Sequence, residues 1–353
     1  MSINTLQILN LRNIQKATLN FCSGLNLIHG DNGSGKSTLL EAIYLIARGR
    51  SYRTSRFGSV IRHGEASTTL FAETTTERKH RIGIQKTTSS TKVKVDGKEV
   101  EKLSDIAKIT PLQIITPMSH EILERGPEYR RRFLEWGVFH VEHNHFPLYR
   151  KFLKNLRQRN MALRNRERSL EAWDHSLARL GEALNELRLS YFKQLTGEFE
   201  THAKNLGLDL KLRFDWKRGW SDESPLAEVL RKNREGDLQK GYTSAGPHRA
   251  DFKVSIQGRS AFNTASRGQQ KMIIVALHLA QASVMVNRLD AAPIILIDDL
   301  VSELDLTNRM RLAEYLGELQ FQVFITSTDR INKQRFPTAA EYSIEAGIPK
   351  RLE

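Results

Sequence analysis

The sequence predicts an α/β fold: a P-loop head on a mixed, largely parallel sheet, plus an inserted helical lobe containing an antiparallel helical hairpin. Three observations point to it. The run Gly30-Asp31-Asn32-Gly33-Ser34-Gly35-Lys36-Ser37 joins an apolar strand to a helical pattern, the setting in which a GxxxxGK[ST] loop cradles phosphate. The run Ile294-Ile295-Leu296-Ile297 ends in Asp298-Asp299, as a buried parallel strand with acids at its carboxyl end would. Between the two, from Glu121 to about Lys240, the chain is helix-prone and rich in Arg, Leu and Glu.

The length of 353 residues suggests about two domains. We read 1–122 as the first part of the head, 123–240 as the lobe and 241–353 as the second part of the head. Lys and Arg number 54 against 40 Asp and Glu, a net charge of +14. That excess points to a polyanionic partner, nucleic acid or an anionic membrane surface. The single cysteine, Cys22, excludes a disulfide framework and a Cys-rich zinc site and fits a reducing compartment. The most apolar stretch, Ile273 to Val286, is broken by His278 and Gln281 and is shorter than the ~20 residues of a membrane span. Asn10, Arg12, Asn13, Gln15 and Lys16 interrupt any signal-peptide core. The expectation is a soluble, cytoplasmic protein with no membrane partner.

The elements follow in order. Thr5 to Leu9 alternates as a strand, and Gly24 to His29 is a short apolar strand entering the loop. Leu39, Leu40, Ile43, Leu45 and Ile46 recur at helical spacing. Thr69–Glu73, Arg81–Lys86 and Thr91–Val95 alternate, and Asp96-Gly97 is a hairpin signal. In the middle, Trp173, Leu177, Leu180, Leu184, Leu187 and Tyr191 are spaced 4, 3, 4, 3, 4, a seam near a 3.5-residue period. Tyr149, Phe152, Leu153, Leu156 and Leu163 share one helical face. Together they predict hairpin arms of about 30 residues, roughly 45 Å long. After it come a strand at Asp251–Ile256, an apolar helix over Arg267–Val286, and strands at Pro293–Ile297 and Phe321–Thr326.

The loop chemistry is specific. Glycines let the backbone curl its N–H groups toward phosphate, the helix N-terminus adds its dipole, and Gly30 to Ser37 with Thr38 are the expected nucleotide-binding residues. Lys36 reaches the β/γ-phosphates, and the Ser37 hydroxyl is a Mg²⁺ ligand. Asp298 would hold Mg²⁺, directly or through water, and Asp299 would orient or deprotonate the attacking water. Asn332-Lys333-Gln334-Arg335 fails at its last position as a guanine-reading motif, so ATP is expected rather than GTP. His248 and Arg249 follow Gly246-Pro247; nucleotide contact and a structural hydrogen bond are both open for Arg249.

Ala265-Ser266-Arg267-Gly268-Gln269-Gln270-Lys271, opening an apolar helix, and Ser302-Glu303-Leu304-Asp305 after the acids resemble the signature motif and D-loop of ABC ATPases. A Ser at a helix N-terminus is an anion site, and an ordinary N-cap as well. The resemblance implies that Ser266, Gly268 and Gln269 cap the γ-phosphate held by a second subunit, making an ATP-dependent homodimer. The match narrows further. Leu11-Arg12-Asn13, Gly24-Leu25-Asn26, Leu40-Glu41-Ala42-Ile43-Tyr44 and Gly49-x-Ser51-Tyr52-Arg53-Thr54 resemble the RecF family of bacterial recombinational repair proteins. So do Gly126-Pro127 with Arg130-Arg131-Arg132-Phe133-Leu134, Gly246-Pro247-His248-Arg249, and Asp298-Asp299-Leu300-x-Ser302-Glu303-Leu304-Asp305.

Two departures from ABC ATPases in general stand out. Walker B ends in Asp-Asp where many have Asp-Glu, and Thr326-Ser327-Thr328 stands where a switch histidine is expected. A shorter carboxylate sits farther from the water, so a timed switch with slow, DNA-stimulated hydrolysis is expected rather than a fast motor. Gln113 is the candidate Q-loop glutamine. The histidines His140, His143 and His145 lack a Cys or acidic partner in sequence for a metal site.

From Arg125 to Arg168 the chain carries 12 Lys/Arg and 4 Asp/Glu. Arg150, Lys154, Arg157, Arg164 and Arg168 fall on one side of a helix, beside its apolar face. Five aligned cations without an acid suit a phosphate track, which positions a duplex without reading bases. The resemblance implies double-stranded and gapped DNA as ligand, RecR with RecO as partners, and indirect action on RecA, in repair and replication restart. A transporter ATPase would need a switch histidine and a membrane-coupling region. A structural chromosome protein of the SMC type would need far longer arms.

Overall fold

The computed structural model describes residues 1–353 except 76–77, 168, 290–291, 300–303, 331–335, 337 and 353. The chain divides into two compact units, residues 1–119 with 285–353 and residues 120–284.

The first unit begins with β1 (Ser2–Leu11), β2 (Ile14–Asn20) and β3 (Leu25–His29). The phosphate-loop sequence then leads into α1 (Lys36–Arg48). β4 (Ser67–Thr75), β5 (Lys79–Thr87), β6 (Thr91–Val95) and β7 (Lys98–Glu99) follow as antiparallel hairpins. Asp96 and Gly97 both take positive φ, 51° and 83°, as the tight turn of a two-residue hairpin requires. α2 (Leu103–Ile109) and β8 (Leu112–Ile115) close this part.

The second unit holds α3 (Glu121–Glu124), α4 (Pro127–Val141), α5 (His145–Arg164) and α6 (Glu171–Asn205), then β9 (Leu212–Lys217), α7 (Leu226–Lys232) and α8 (Arg234–Lys240). β10 (Asp251–Ile256), β11 (Arg259–Ser260), α9 (Ala261–Thr264) and α10 (Arg267–Leu289) come next, the end of α10 from Met285 on falling in the first unit. The hairpin arms are unequal, 20 residues in α5 and 35 in α6. Along α6 the heptad reading holds for Leu177, Leu184 and Tyr191, which are buried, but Asp174, Asn185 and Arg188 share the buried stripe. Some of their polar groups are bonded inside: Arg159 Nε donates to Asp174 Oδ1 at 2.7 Å and Arg188 Nη1 to Pro247 O at 2.7 Å. At Gly137 of α4 an added Cβ would lie 1.9 Å from Tyr191 Oη, so the glycine permits that helix contact. His145 does have an acidic partner, Glu135 at 2.6 Å, in a network with Arg188. Among the described residues no three His, Cys, Asp or Glu gather as a metal site.

Residues 241–284 differ from the expected return to the head at 241. β9 pairs antiparallel with β10 in a three-stranded sheet, β11-β10-β9, which ties the later segment to the second unit. α10 starts at Arg267 as expected and runs to Leu289, a little beyond the expected Val286. At 23 residues it is long and apolar enough to cross a membrane, but its most apolar window is 72% buried in the protein; packing, not length, accounts for its composition.

The chain then completes the first unit with β12 (Ile294–Ile297), α11 (Leu306–Glu318), β13 (Val323–Ser327), β14 (Ala340–Glu345) and β15 (Ile348–Leu352). Its two sheets run β2-β1-β4-β5-β6-β7 and β15-β14-β3-β13-β12-β8. In the second, β14, β3, β13, β12 and β8 are mutually parallel. α1 shares one core with both sheets: Leu39, Leu40, Ile43 and Ile46 pack with Ile3, Leu6, Ile8, Ile28, Leu296 and Phe324. α1 is buried around most of its circumference, with Lys36, Thr38 and Glu41 among its buried residues.

Candidate functional site

The parallel sheet sets β3, β13 and β12 side by side, and their carboxyl ends meet at one level. Ser327 pairs with His29, and Ile297 with Ile325. The phosphate loop therefore leaves β3 beside Thr326 and Asp298, at the strand ends where ligands of open α/β sheets sit.

Asn13, in the turn between β1 and β2, braces the loop. Its Nδ2 donates to Gly33 O at 3.2 Å and Ser34 O at 3.0 Å, and its Oδ1 accepts from Thr38 Oγ1 at 3.0 Å. On the other side Gly347 N donates to Ser34 O at 2.8 Å. Gly30 lies so close to β14 that an added Cβ would sit 2.3 Å from Ile344 O. Gly33 has a φ of 80° with open space around it, so there the backbone conformation alone calls for glycine. Lys36 is buried, and its Nζ donates to Gly30 O at 2.6 Å and Asp31 O at 3.0 Å. The ammonium thus lies inside the curl of the loop.

Asp298 is buried and accepts three hydroxyl hydrogen bonds. Ser37 Oγ and Thr326 Oγ1 each donate to its Oδ1 at 2.9 Å, and Tyr52 Oη donates to its Oδ2 at 2.8 Å. Burial, and then the charge of Asp298, push the Tyr52 phenol well above its ordinary value, so it stays a donor. Asp299 adopts a left-handed φ of 51°, which Asp tolerates better than most residues, and its N–H donates to Thr326 Oγ1 at 2.9 Å. One threonine thus holds both acids. Ser327, beside it, is buried, and among the described residues its Oγ has no hydrogen-bond partner, nor has Ser34 Oγ in the loop. Gln113 lies in the middle of β8, opposite Ile295; it is buried two residues short of the strand's end, below the level of Asp298.

Ser266 and Gln269 form a reciprocal capping box at the start of α10. Gln269 N donates to Ser266 Oγ at 3.2 Å, and Ser266 N to Gln269 Oε1 at 2.9 Å. Ser266 is an N-cap, exposed to solvent, while Gly268 and Gln269 are half-buried. These three belong to the second unit; the loop and the acids belong to the first. Of the D-loop, Ser302 and Glu303 lie outside the described residues, as does Leu300; Asp305 N-caps α11 by accepting from Asn308 N at 2.9 Å.

On α5, Arg150, Lys154, Arg157 and Arg164 are exposed, with Phe152, Leu156 and Leu163 buried on the opposite side. None of the four has an ion-pair partner among the described residues, and Arg150 stacks 5.8 Å from the Phe146 ring centre. Arg168 lies outside the described residues. Arg159, also on α5, is fully buried between Asp174 and Asp237. His248 Nε2 lies 3.0 Å from Thr243 O, and burial pulls its pKa down to about 4; Arg249 stacks over Tyr242 at 5.3 Å.

Comparison with known proteins gives a consistent result. A family model for the RecF/RecN/SMC N terminal domain matches residues 2–342. The DNA replication and repair protein RecF of Pseudoalteromonas translucida (strain TAC 125) is 38% identical over 334 residues, covering 93% of this chain and 92% of that one. Two solved structures of the recombination mediator protein RecF in the RecFOR pathway, RecF-ATPrS and RecF-ATP, have TM-scores of 0.84 and 0.83. They are 27% and 26% identical to this chain, cover 100% and 99% of it, and are covered over 98% and 97% of their own length. The expected fold, an ABC-type P-loop ATPase head with a helical lobe, is the fold observed.

Proposed function

The chain belongs to the RecF/RecN/SMC family, and from that premise we propose that it is an ATP-dependent DNA-binding protein of recombinational repair and replication restart. In this reading two copies close on gapped duplex and single-strand DNA as an ATP-gated clamp. With RecO and RecR they help RecA load. The site of action is the cytoplasm. One observation carries the nucleotide half of the reading: the 2.9 Å bond from Ser37 Oγ to Asp298 Oδ1, which brings the loop hydroxyl and the strand acid to one spot.

The residues suit Mg·ATP. Ser37 and Asp298 offer the hard oxygens that Mg²⁺ prefers, with phosphates and water completing the shell. Ser34 Oγ, buried without a hydrogen-bond partner among the described residues, is a further polar group at the site. Bound Mg²⁺ would supply charge neutralisation at the phosphate oxygens. Lys36 exchanges its carbonyl partners for phosphate oxygens, and the loop N–H groups hold the rest of the chain of phosphates. Asp299 orients or deprotonates the water. Thr326 fixes it through the backbone, and no histidine stands in that place, which supports slow hydrolysis. Ser266 and the first N–H groups of α10 would cap the γ-phosphate of the facing copy.

Retention on gapped DNA, measured with and without ATP for the wild type and Lys36→Ala, tests the reading. ATP-dependent retention that Lys36→Ala abolishes is expected. Equal retention with and without ATP contradicts it.

A further inference from the structure

The loop after α1 reaches back to the carboxylate at the end of β12. Its course starts at Glu41, a fully buried residue of α1 that pairs with Arg12 and accepts the Ser51 hydroxyl. Ser51 Oγ in turn accepts from Arg53 N at 3.0 Å and Thr54 N at 3.1 Å, which folds residues 51–54 into a tight turn. The Tyr52 ring lies edge-on against Tyr44 at 5.3 Å between centroids. Its hydroxyl ends 2.8 Å from Asp298 Oδ2, and 3.4 Å from Ser37 O. Asp298 is thereby divided: Oδ1 faces Ser37 and Thr326, and Oδ2 faces Tyr52. A carboxylate held at both oxygens cannot turn about its own axis.

We propose that Tyr52 is a positioning residue for the divalent cation: by holding Oδ2 it keeps the edge of Asp298 shared with Ser37 aimed at the metal, and so sets the cation affinity of the nucleotide site. The inference rests on the reading above, that Mg²⁺ binds beside Ser37 with ATP. Partners that orient a ligating carboxylate typically contribute 10–100-fold in metal affinity. If Tyr52 only filled space, its ring would suffice, and the phenol oxygen would be dispensable.

Labelled-ATP binding titrated with Mg²⁺ separates the two. The proteins are the wild type, Tyr52→Phe, and Tyr44→Phe as a control that keeps the Asp298 bond. Tyr52→Phe is expected to raise the half-saturating Mg²⁺ concentration about tenfold and to leave ATP affinity in EDTA unchanged. Tyr44→Phe should match the wild type. Ser51→Ala, which loosens the turn without touching Asp298, should shift the Mg²⁺ midpoint in the same direction by less, and serves if Tyr52→Phe does not fold. A folded Tyr52→Phe protein with the wild-type midpoint overturns the inference, and so does an equal loss of affinity in EDTA. Absence of Mg²⁺-dependent ATP binding in the wild type would instead overturn the nucleotide reading itself.

Discussion

At the scale of single residues, the two acids that follow β12 have different surroundings and should fail differently. Asp298 is buried under three hydroxyl donors, whereas Asp299 turns away in a left-handed conformation, held by its own N–H. Asp298→Asn is expected to weaken Mg²⁺-dependent ATP binding, and Asp299→Asn to retain ATP binding while slowing turnover and prolonging the dimer. Equilibrium ATP binding and single-turnover hydrolysis measure the two; identical effects would refute the division. Lys36, Ser37, Asp298 and Asp299 were legible in the sequence because motif spacing specifies them. Asn13, Tyr52 and Thr326 were not assigned roles. Their contacts cross the fold, over separations of up to 246 residues for Tyr52, and no local periodicity reports such a meeting. The signal was there as unexplained motif residues: Asn13 beside Arg12, and Tyr52 beside Ser51.

At the scale of elements, α5 carries arginines of two kinds. Arg159 is fully buried and bonded to Asp174, Asp237 and Thr243. Arg159→Ala leaves the buried Asp237 without its cation, while Asp174 keeps Arg234, and should cost about 3–5 kcal/mol, read from urea midpoints. Arg157 and Arg164 are exposed, and replacing both by Gln should change stability by about 0.5 kcal/mol or less. The same double change should reduce the slope of DNA affinity against salt by up to about 2. An unchanged slope would assign the stripe to solvent. Three histidines, the buried His202 and His278 and the half-buried His248, contribute to the acid sensitivity of this unit. Burial pulls all three down to about 4, while in the unfolded chain they titrate near 6.5. Between about pH 6.5 and 4 the unfolded chain binds more protons, so stability falls as pH falls, by up to about 1.4 kcal/mol per pH unit for each histidine. Urea midpoints at pH 7 and pH 5 check this; equal midpoints would contradict it. The long elements were readable from periodicity. The hairpin of β14 and β15 was not assigned, because Pro349, Lys350 and Arg351 interrupt the strand pattern. The turn that makes it lies in Ala346 and Gly347, both at positive φ.

At the scale of the whole molecule, the net charge of +14 favours an anionic partner, and the proposed clamp puts that charge to use. The order of motifs foretold two units but not where the second ends. Helical propensity stops near residue 240, whereas the pairing of β9 with β10 keeps the chain in the second unit to residue 284. Strand pairing between distant segments is what the local pattern omits. The phosphate loop and Ser266 lie in different units, and in the proposed dimer the ATP held by one copy is completed by Ser266 of the other. Light scattering of the wild type and Ser266→Arg, with and without ATP, tests this most directly. The wild type is expected to double its mass with ATP, and Ser266→Arg to bind labelled ATP but stay a monomer. Loss of the cap alone would cost only about 1 kcal/mol of stability, so a Ser266→Arg protein that still doubles its mass with ATP would contradict the composite site.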